Sequence, residues 1–326
     1  MAAFGPARTP GVEERLSSRP LRPDAAGLFW ALTAATLGGT VGVADKWLLL
    51  HNAGPLPLSA LRATAATAVL ASIFLLFHRP TLRLDRKDLP FFALYGLVGV
   101  AGMYLLYILA VMEAGAALST ALFYTYPTMA TLLAALFLKE RLTWRKAIPL
   151  PVTFLGCVLA AGLGGGEGLV WRPAGIAFAL LSAAAFALYP LFARRALARY
   201  SHWTTLFYSL FFGALWLDLL WGTLCPFLPA DGRFCGNLPP LGRENIPFWA
   251  GLLYLALFAT AGLYLADLQA IRRLEVRQVG LIGTLEPLIA GLLAWVLFGE
   301  SLTPGQWLGA GLIVSGVVWM RFQEGE

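Results

Sequence analysis

The sequence predicts an all-α polytopic membrane protein: ten transmembrane helices arranged as two inverted five-helix repeats. Three observations lead there. Apolar runs of about 20 residues, enough to cross a hydrocarbon core of roughly 30 Å, recur along 326 residues that are 59% hydrophobic and 13% charged. Basic residues gather in alternate connecting segments. A block holding a proline and a glutamate comes twice, Pro127 and Glu140 returning as Pro287 and Glu300, an offset of 160.

Residues 1–26 are polar, Pro-rich and Arg-bearing, with no apolar run, and read as a disordered cytoplasmic tail. The first apolar segment, from Gly27 to Leu50, exceeds the 7–15 residues of a signal-peptide core and is the first span. Further spans are expected at 57–77, 89–112, 116–138, 144–163, 173–193, 203–224, 248–271, 277–298 and 304–321.

The repeat extends beyond the proline block. The same offset pairs Gly102 with Gly262, Tyr104 with Tyr264, Leu142 with Leu302 and Gly156 with Gly316. Shared Leu and Ala carry little weight in apolar helices, but Pro, Glu and Tyr at one offset point to an internal duplication. The two units are 27–163 and 173–321.

Charge sets the orientation. Ten spans with the N-terminus inside put nineteen basic residues on the inner side, among them Arg8, Arg83, Lys139, Arg194 and Arg272, against Arg172, Arg233 and Arg243 on outer loops. This positive-inside bias places both termini in the cytoplasm. A unit of five spans enters the membrane with opposite orientations in its two copies, so the repeat is inverted. Inverted repeats characterise secondary transporters, whose site lies near the midplane between the halves. The net charge of +6 forms no basic face with interleaved aromatics, which argues against nucleic acid.

Two five-span halves, each with a mid-helix Pro followed by Glu140-Arg141-Leu142-Thr143 or Glu300-Ser301-Leu302-Thr303, resemble the EamA-type drug/metabolite transporter superfamily. Leu61-Arg62-Ala63 is similar to that family's second-helix arginine. The resemblance covers about residues 27–321. It implies a ten-helix carrier of small organic solutes, often outward, with a central cavity between the halves. Two features depart from the pattern: Glu286 stands where the first repeat has Tyr126, and a long loop between spans seven and eight carries two cysteines.

Glu286 is the sharpest candidate for function. It lies about nine residues into its span, roughly 13 Å deep at 1.5 Å per residue, and ionisable groups at that depth usually face a cavity or a partner. It is a candidate for proton coupling or for an amine on the substrate, against the reading of a protonated side chain that ties helices together. Pro287 frees the carbonyl of Gly283. Thr120, Tyr124, Thr128 and Thr131 share one helical face, as do Thr33, Thr36 and Thr40. Tyr124, Thr128, Thr36 and Thr40 are substrate-binding candidates, against interhelical packing. Tyr104 and Tyr264, equivalent across the repeats, are candidates for stacking or gating, or are core residues. Asp267 is expected to pair with Arg272 or Arg273, and Asp45 with Arg62 as an outer gate or structural pair; Asp218 has no evident partner. Glu140 and Glu300 read as turn caps.

Cys225 and Cys235 flank an outer loop and are disulfide candidates on an oxidising side; Cys157 lies in a span. His51, His78 and His202 are far apart, so no metal site is expected. The Gly162–Gly168 run lacks a following Lys-Ser/Thr and is no P-loop, so no nucleotide motor or cofactor is expected. Gly38 with Gly42, and Gly305 with Gly309, have small-xxx-small spacing, which allows contact within the chain or in a homodimer. The expectation is a secondary carrier in the plasma membrane, a bacterial inner membrane, with a small-molecule substrate: an exporter of amino-acid-like or amphipathic compounds by alternating access. A passive uniporter or importer, or a membrane-embedded enzyme or sensor, are the alternatives.

Overall fold

The computed structural model describes residues 25–49, 54–77, 83–138, 147–161, 172–227, 234–236, 238–240, 242–299 and 303–322. Glu140, Glu300, His51, His78 and the Gly162–Gly168 run lie outside them. In chain order the helices are α1 (Ala25–Leu49), α2 (Pro55–Phe77), α3 (Leu89–Gly96, Leu97–Gly102, Met103–Ala114), α4a (Ala116–Phe123), α4b (Tyr126–Phe137) and α5 (Pro149–Ala160). They continue as α6 (Pro173–Leu197), α7 (His202–Leu224), α8 (Ile246–Ala256, Leu257–Gly262, Leu263–Ile271), α9a (Val276–Gly283), α9b (Glu286–Phe298) and α10 (Pro304–Phe322). Among the described residues eight helical stretches are long and apolar enough to cross a membrane; Pro149–Ala160 is apolar but shorter.

The sequence starts these helices with familiar devices. Prolines open α2, α5, α6 and α10, where the missing N–H is one that a helix start leaves unpaired anyway. Ser201 caps α7 by accepting from the Thr204 amide. Glu275 and Gln278 close a reciprocal capping box at α9a.

Two spans expected as continuous helices are broken. The fourth turns at Tyr124–Thr125 and the ninth at Thr284–Leu285, again 160 residues apart. Pro127 and Pro287 sit at the second position of the helices that follow. Neither ring can donate to the preceding turn, so the chain tightens there: Thr125 N–H bonds to the Leu122 carbonyl and Leu285 N–H to the Ile282 carbonyl. α3 and α8 each widen into a π-helical segment at Leu97–Gly102 and Leu257–Gly262. Such bulges inside α-helices frequently mark functional sites.

Packing between the two halves has a reciprocal pattern. α1 lies against α8 and α9b, while α6 lies against α3, α4a and α4b. α2 packs on α7, α4b on α9a, and α5 on α10. The last contact is close because Gly156 and Gly309 face each other: a β-carbon on Gly309 would stand 2.6 Å from the Ala160 nitrogen and the Gly156 oxygen. Gly309 thus serves a contact within the chain, whereas among the described residues the β-position of Gly305 meets only Thr303, at 3.9 Å.

The largest aromatic core joins Tyr95, Tyr189 and Tyr264 with Phe92 and Phe207. Outward, Leu76, Leu136, Val296 and Leu308 are more than half exposed. An exterior this apolar is the arrangement for a protein solvated by lipid.

Candidate functional site

Glu286 is the first residue of α9b, immediately after the break in the ninth span. The turn aims its side chain across to α1, where Gly38 leaves room: a β-carbon on Gly38 would fall 2.6 Å from the Glu286 carboxyl carbon. The Tyr124 hydroxyl, at the matching break in the fourth span, donates to Glu286 Oε2 at 3.2 Å. The two breaks therefore meet through one hydrogen bond. Gly283 is equally constrained, its β-position lying 2.2 Å from the Tyr126 hydroxyl.

Glu286 lines a cavity that runs between α1, α4b, α6, α8 and α9a. The cavity itself measures about 30 Å³, and about 470 Å³ with its open mouth counted, so an organic occupant extends into the mouth. α1 contributes only the methyl groups of Ala31, Ala34 and Ala35. Tyr126, Phe186 and Tyr189 supply aromatic walls, Tyr126 and Phe186 meeting edge-on with centroids 4.8 Å apart. Asp267 brings a second carboxyl into the same space.

A separate polar cluster lies among α1, α2 and α3. Arg62, 2% exposed, donates from one nitrogen to both Asp45 oxygens, at 3.2 and 3.3 Å. Its guanidinium stands 4.2 Å from the centroid of the Tyr104 ring, a cation–π contact in a site removed from water. Neither Arg62 nor Tyr104 lines the cavity.

The residues singled out in the sequence separate accordingly. Glu286 and Tyr124 come together. Thr128 is half-buried on α4b, outside the cavity lining. Thr36 is on an exposed face of α1 and bonds back to the Leu32 carbonyl; Thr33 bonds likewise to Phe29. Thr40 bonds to the Leu37 carbonyl and accepts from the Tyr254 hydroxyl at 2.9 Å. Thr131 is buried and bonds to the Pro127 carbonyl, while Thr120 meets the Tyr107 hydroxyl at 2.7 Å. Tyr264 is a core residue, 1% exposed and edge-on to Tyr189 at 5.2 Å.

Three expectations change. Asp267 does not pair with the arginines one turn on, because Arg272 reaches His202 and both Arg272 and Arg273 reach Gln269. Asp218 has a partner after all, accepting from Thr64 at 2.7 Å. Gly38 accommodates the Glu286 side chain, and among the described residues none comes within 4 Å of the Gly42 β-position. Cys225 and Cys235 form a disulfide with Cα atoms 5.4 Å apart, and Cys157 is a buried thiol. Asp267, Tyr126, Phe186 and Tyr189 are cavity residues that the sequence did not single out as binding candidates; for Tyr126 the signal was its equivalence to Glu286.

The geometry can be set beside known proteins. A model of the EamA-like transporter family matches twice, over residues 25–162 and 173–322. An uncharacterized transporter of Archaeoglobus fulgidus is 25% identical over 263 residues, 81% of this chain and 87% of the relative. A probable terminal-alkyne amino-acid exporter of Streptantibioticus cattleyicolor is 28% identical over 292 residues, 89% of this chain and 91% of the relative. One crystal structure superposes with a TM-score of 0.76 at 21% identity, covering 92% of this chain and 98% of that one, a likeness of fold.

Proposed function

Because the chain belongs to the EamA-like transporter family, we propose that it is a secondary carrier exporting small amphipathic organic solutes that bear an amino group. The observation that carries this reading is the Glu286 carboxyl, held at two meeting helix breaks and facing a small cavity. Broken helices put irregular backbone at membrane depth, which is tolerated where it lines a cavity, and such sites bind the cargo of secondary transporters.

Alternating access follows from the proposed inverted repeat of ten spans. The family model's two matches, the paired breaks, the paired π-segments and the reciprocal packing support it. The basic residues of alternate segments orient both termini to the cytoplasm, here of a bacterial inner membrane. In that orientation the cavity belongs to the inner half and the Asp45–Arg62 pair to the outer half, and on this reading the pair is the outward closure. Exchange of the two halves' conformations closes the cavity and parts the pair. The name of the Streptantibioticus relative makes solutes with an amino group, amino acids and simple amines alike, the first to assay, and Glu286 is the group to meet an amine or carry a coupled proton.

The test is counterflow in liposomes with labelled amino acids and amines at two pH values. Exchange that is pH-dependent, and that Glu286→Gln abolishes or makes pH-independent at normal expression, is expected. Unchanged exchange and pH dependence in Glu286→Gln would remove the residue's role. No exchange of any solute would move the protein toward a membrane-embedded enzyme or sensor.

A further inference from the structure

We propose, resting on the transport reading above, that this cavity selects an organic cation without a carboxylate over the zwitterionic amino acid of the same side chain. The lining decides the sign of the charge. Its two ionisable acids are Asp267 and Glu286, its aromatic walls are Tyr126, Phe186 and Tyr189, and no lining residue is basic. Carboxylates attract a cation and the faces of aromatic rings add to that attraction.

Asp267 is free to take such a charge. Among the described residues no hydrogen bond or ion pair engages it, and the two arginines one turn on are turned to His202 and Gln269. Among the described residues Glu286 has one hydrogen-bond partner, the Tyr124 hydroxyl on Oε2, which leaves Oε1 without one there.

A zwitterion also needs a place for its own carboxylate, and the lining supplies no cation to hold one. The usual anion seat in a broken helix is the N-terminus of its second half. Here the amides of Thr284, Leu285 and Ile289 already donate to backbone carbonyls and Pro287 has no N–H, and the amides of Glu286 and Leu288 that remain lie beside the Glu286 carboxyl, which sits at that end. A second carboxylate would meet it in a medium of low dielectric, where like charges repel strongly. Of the buried arginines, Arg62 is matched by both oxygens of Asp45 and Arg277 stands 3.6 Å from a Glu275 oxygen, and neither is part of the lining.

Binding to the full-length protein in detergent, measured by calorimetry, tests this with four probes sharing a phenyl ring: phenethylamine, benzyltrimethylammonium, phenylalanine and 3-phenylpropionate. Both cations should bind at least about tenfold tighter than phenylalanine, and the acid least, a tenfold ratio being a clear difference in affinity. Phenylalanine binding as tightly as phenethylamine, or no binding of either cation, overturns the proposal. Asp267→Asn should weaken the cations about tenfold while Asp267→Glu restores most of it; binding unchanged in Asp267→Asn, or an Asp267→Glu no better than the amide, overturns the part given to Asp267. Liposome counterflow separates this from the broader reading. Cation binding without benzyltrimethylammonium counterflow overturns transport and leaves the selectivity standing, whereas phenylalanine exchanging as fast as the cation does the reverse.

Discussion

Gly38 of α1 and Glu286 of α9b are in contact so close that a single methyl group cannot be inserted between them: the β-position of Gly38 lies 2.6 Å from the carboxyl carbon and 2.7 Å from Oε1. The clashing atoms are the far end of a flexible side chain rather than backbone. An added β-carbon therefore displaces the carboxyl without separating the helices. Gly38→Ala should fold and express normally, yet move Glu286 away from the Tyr124 hydroxyl. Hydrogen bonds to charged groups contribute ~1.5–3 kcal/mol, so exchange should fall about tenfold or more. Wild-type exchange in Gly38→Ala would show that the carboxyl's position is not used.

Tyr124→Phe isolates the hydrogen bond itself. The ring stays packed on Phe123 and Tyr126, and only the donor to Glu286 Oε2 is lost. Apparent affinity for an amine, read from counterflow against concentration, should change by about tenfold or more, in line with the ~1.5–3 kcal/mol of a hydrogen bond to a charged group. Combined with Glu286→Gln, the second change should add little, since both remove one interaction. Fully additive losses would place Tyr124 and Glu286 in separate roles.

The Asp45–Arg62 pair predicts an asymmetry between its partners. Arg62 is buried and Asp45 is 30% exposed, so removing Asp45 strands a cation under α1. Breaking a buried pair from one side costs about 3–5 kcal/mol, reduced here because one partner reaches the surface. Asp45→Ala should lower the melting temperature in detergent more than the double variant Asp45→Ala with Arg62→Met, in which no buried charge remains. If the pair also opens during transport, the double variant should exchange solute with altered rate though its stability recovers. Equal melting of the single and double variants would remove the stranded-charge account.

Some of this organisation was legible in the sequence and some was not, for physical reasons. Pro127 and Pro287 at one offset announce a repeated perturbation, because no other residue both lacks an amide and blocks the preceding turn. The depth of Glu286 announces a polar site, because the membrane makes an unneeded carboxyl there expensive. The face of α1 was not legible. Ala31, Ala34 and Ala35 line the cavity while Thr36 turns away, and in a lipid solvent neither face is marked by the polar contrast that a water-soluble helix shows. Thr33, Thr36 and Thr40 satisfy their hydroxyls on their own helix, so their presence carries no requirement for a polar surrounding. Asp267 was misjudged for a different reason: Arg272 and Arg273 are near in sequence, but Gln269 and His202 hold them, and only the fold brings His202 there.

The contact between α5 and α10 gives the last prediction. Gly156 and Gly309 let the two backbones touch, and a second close approach follows at Gly316, whose β-position lies 2.4 Å from Thr153 Cγ2. At Gly309 the obstructing atoms are the Ala160 nitrogen and the Gly156 oxygen, backbone atoms that cannot rotate aside. Gly309→Val should therefore force the helices apart at about 1–3 kcal/mol, the usual cost of overpacking, and lower the melting temperature in detergent. At Gly305 the one described neighbour of the β-position is the Thr303 hydroxyl, 3.9 Å away, and Gly305→Val should leave the melting temperature unchanged. The same pair of variants separates a contact within the chain from a homodimer seam. A seam through this face would use Gly305 as much as Gly309, so loss of a dimer on size exclusion in Gly305→Val, at unchanged melting, would assign that glycine to a partner.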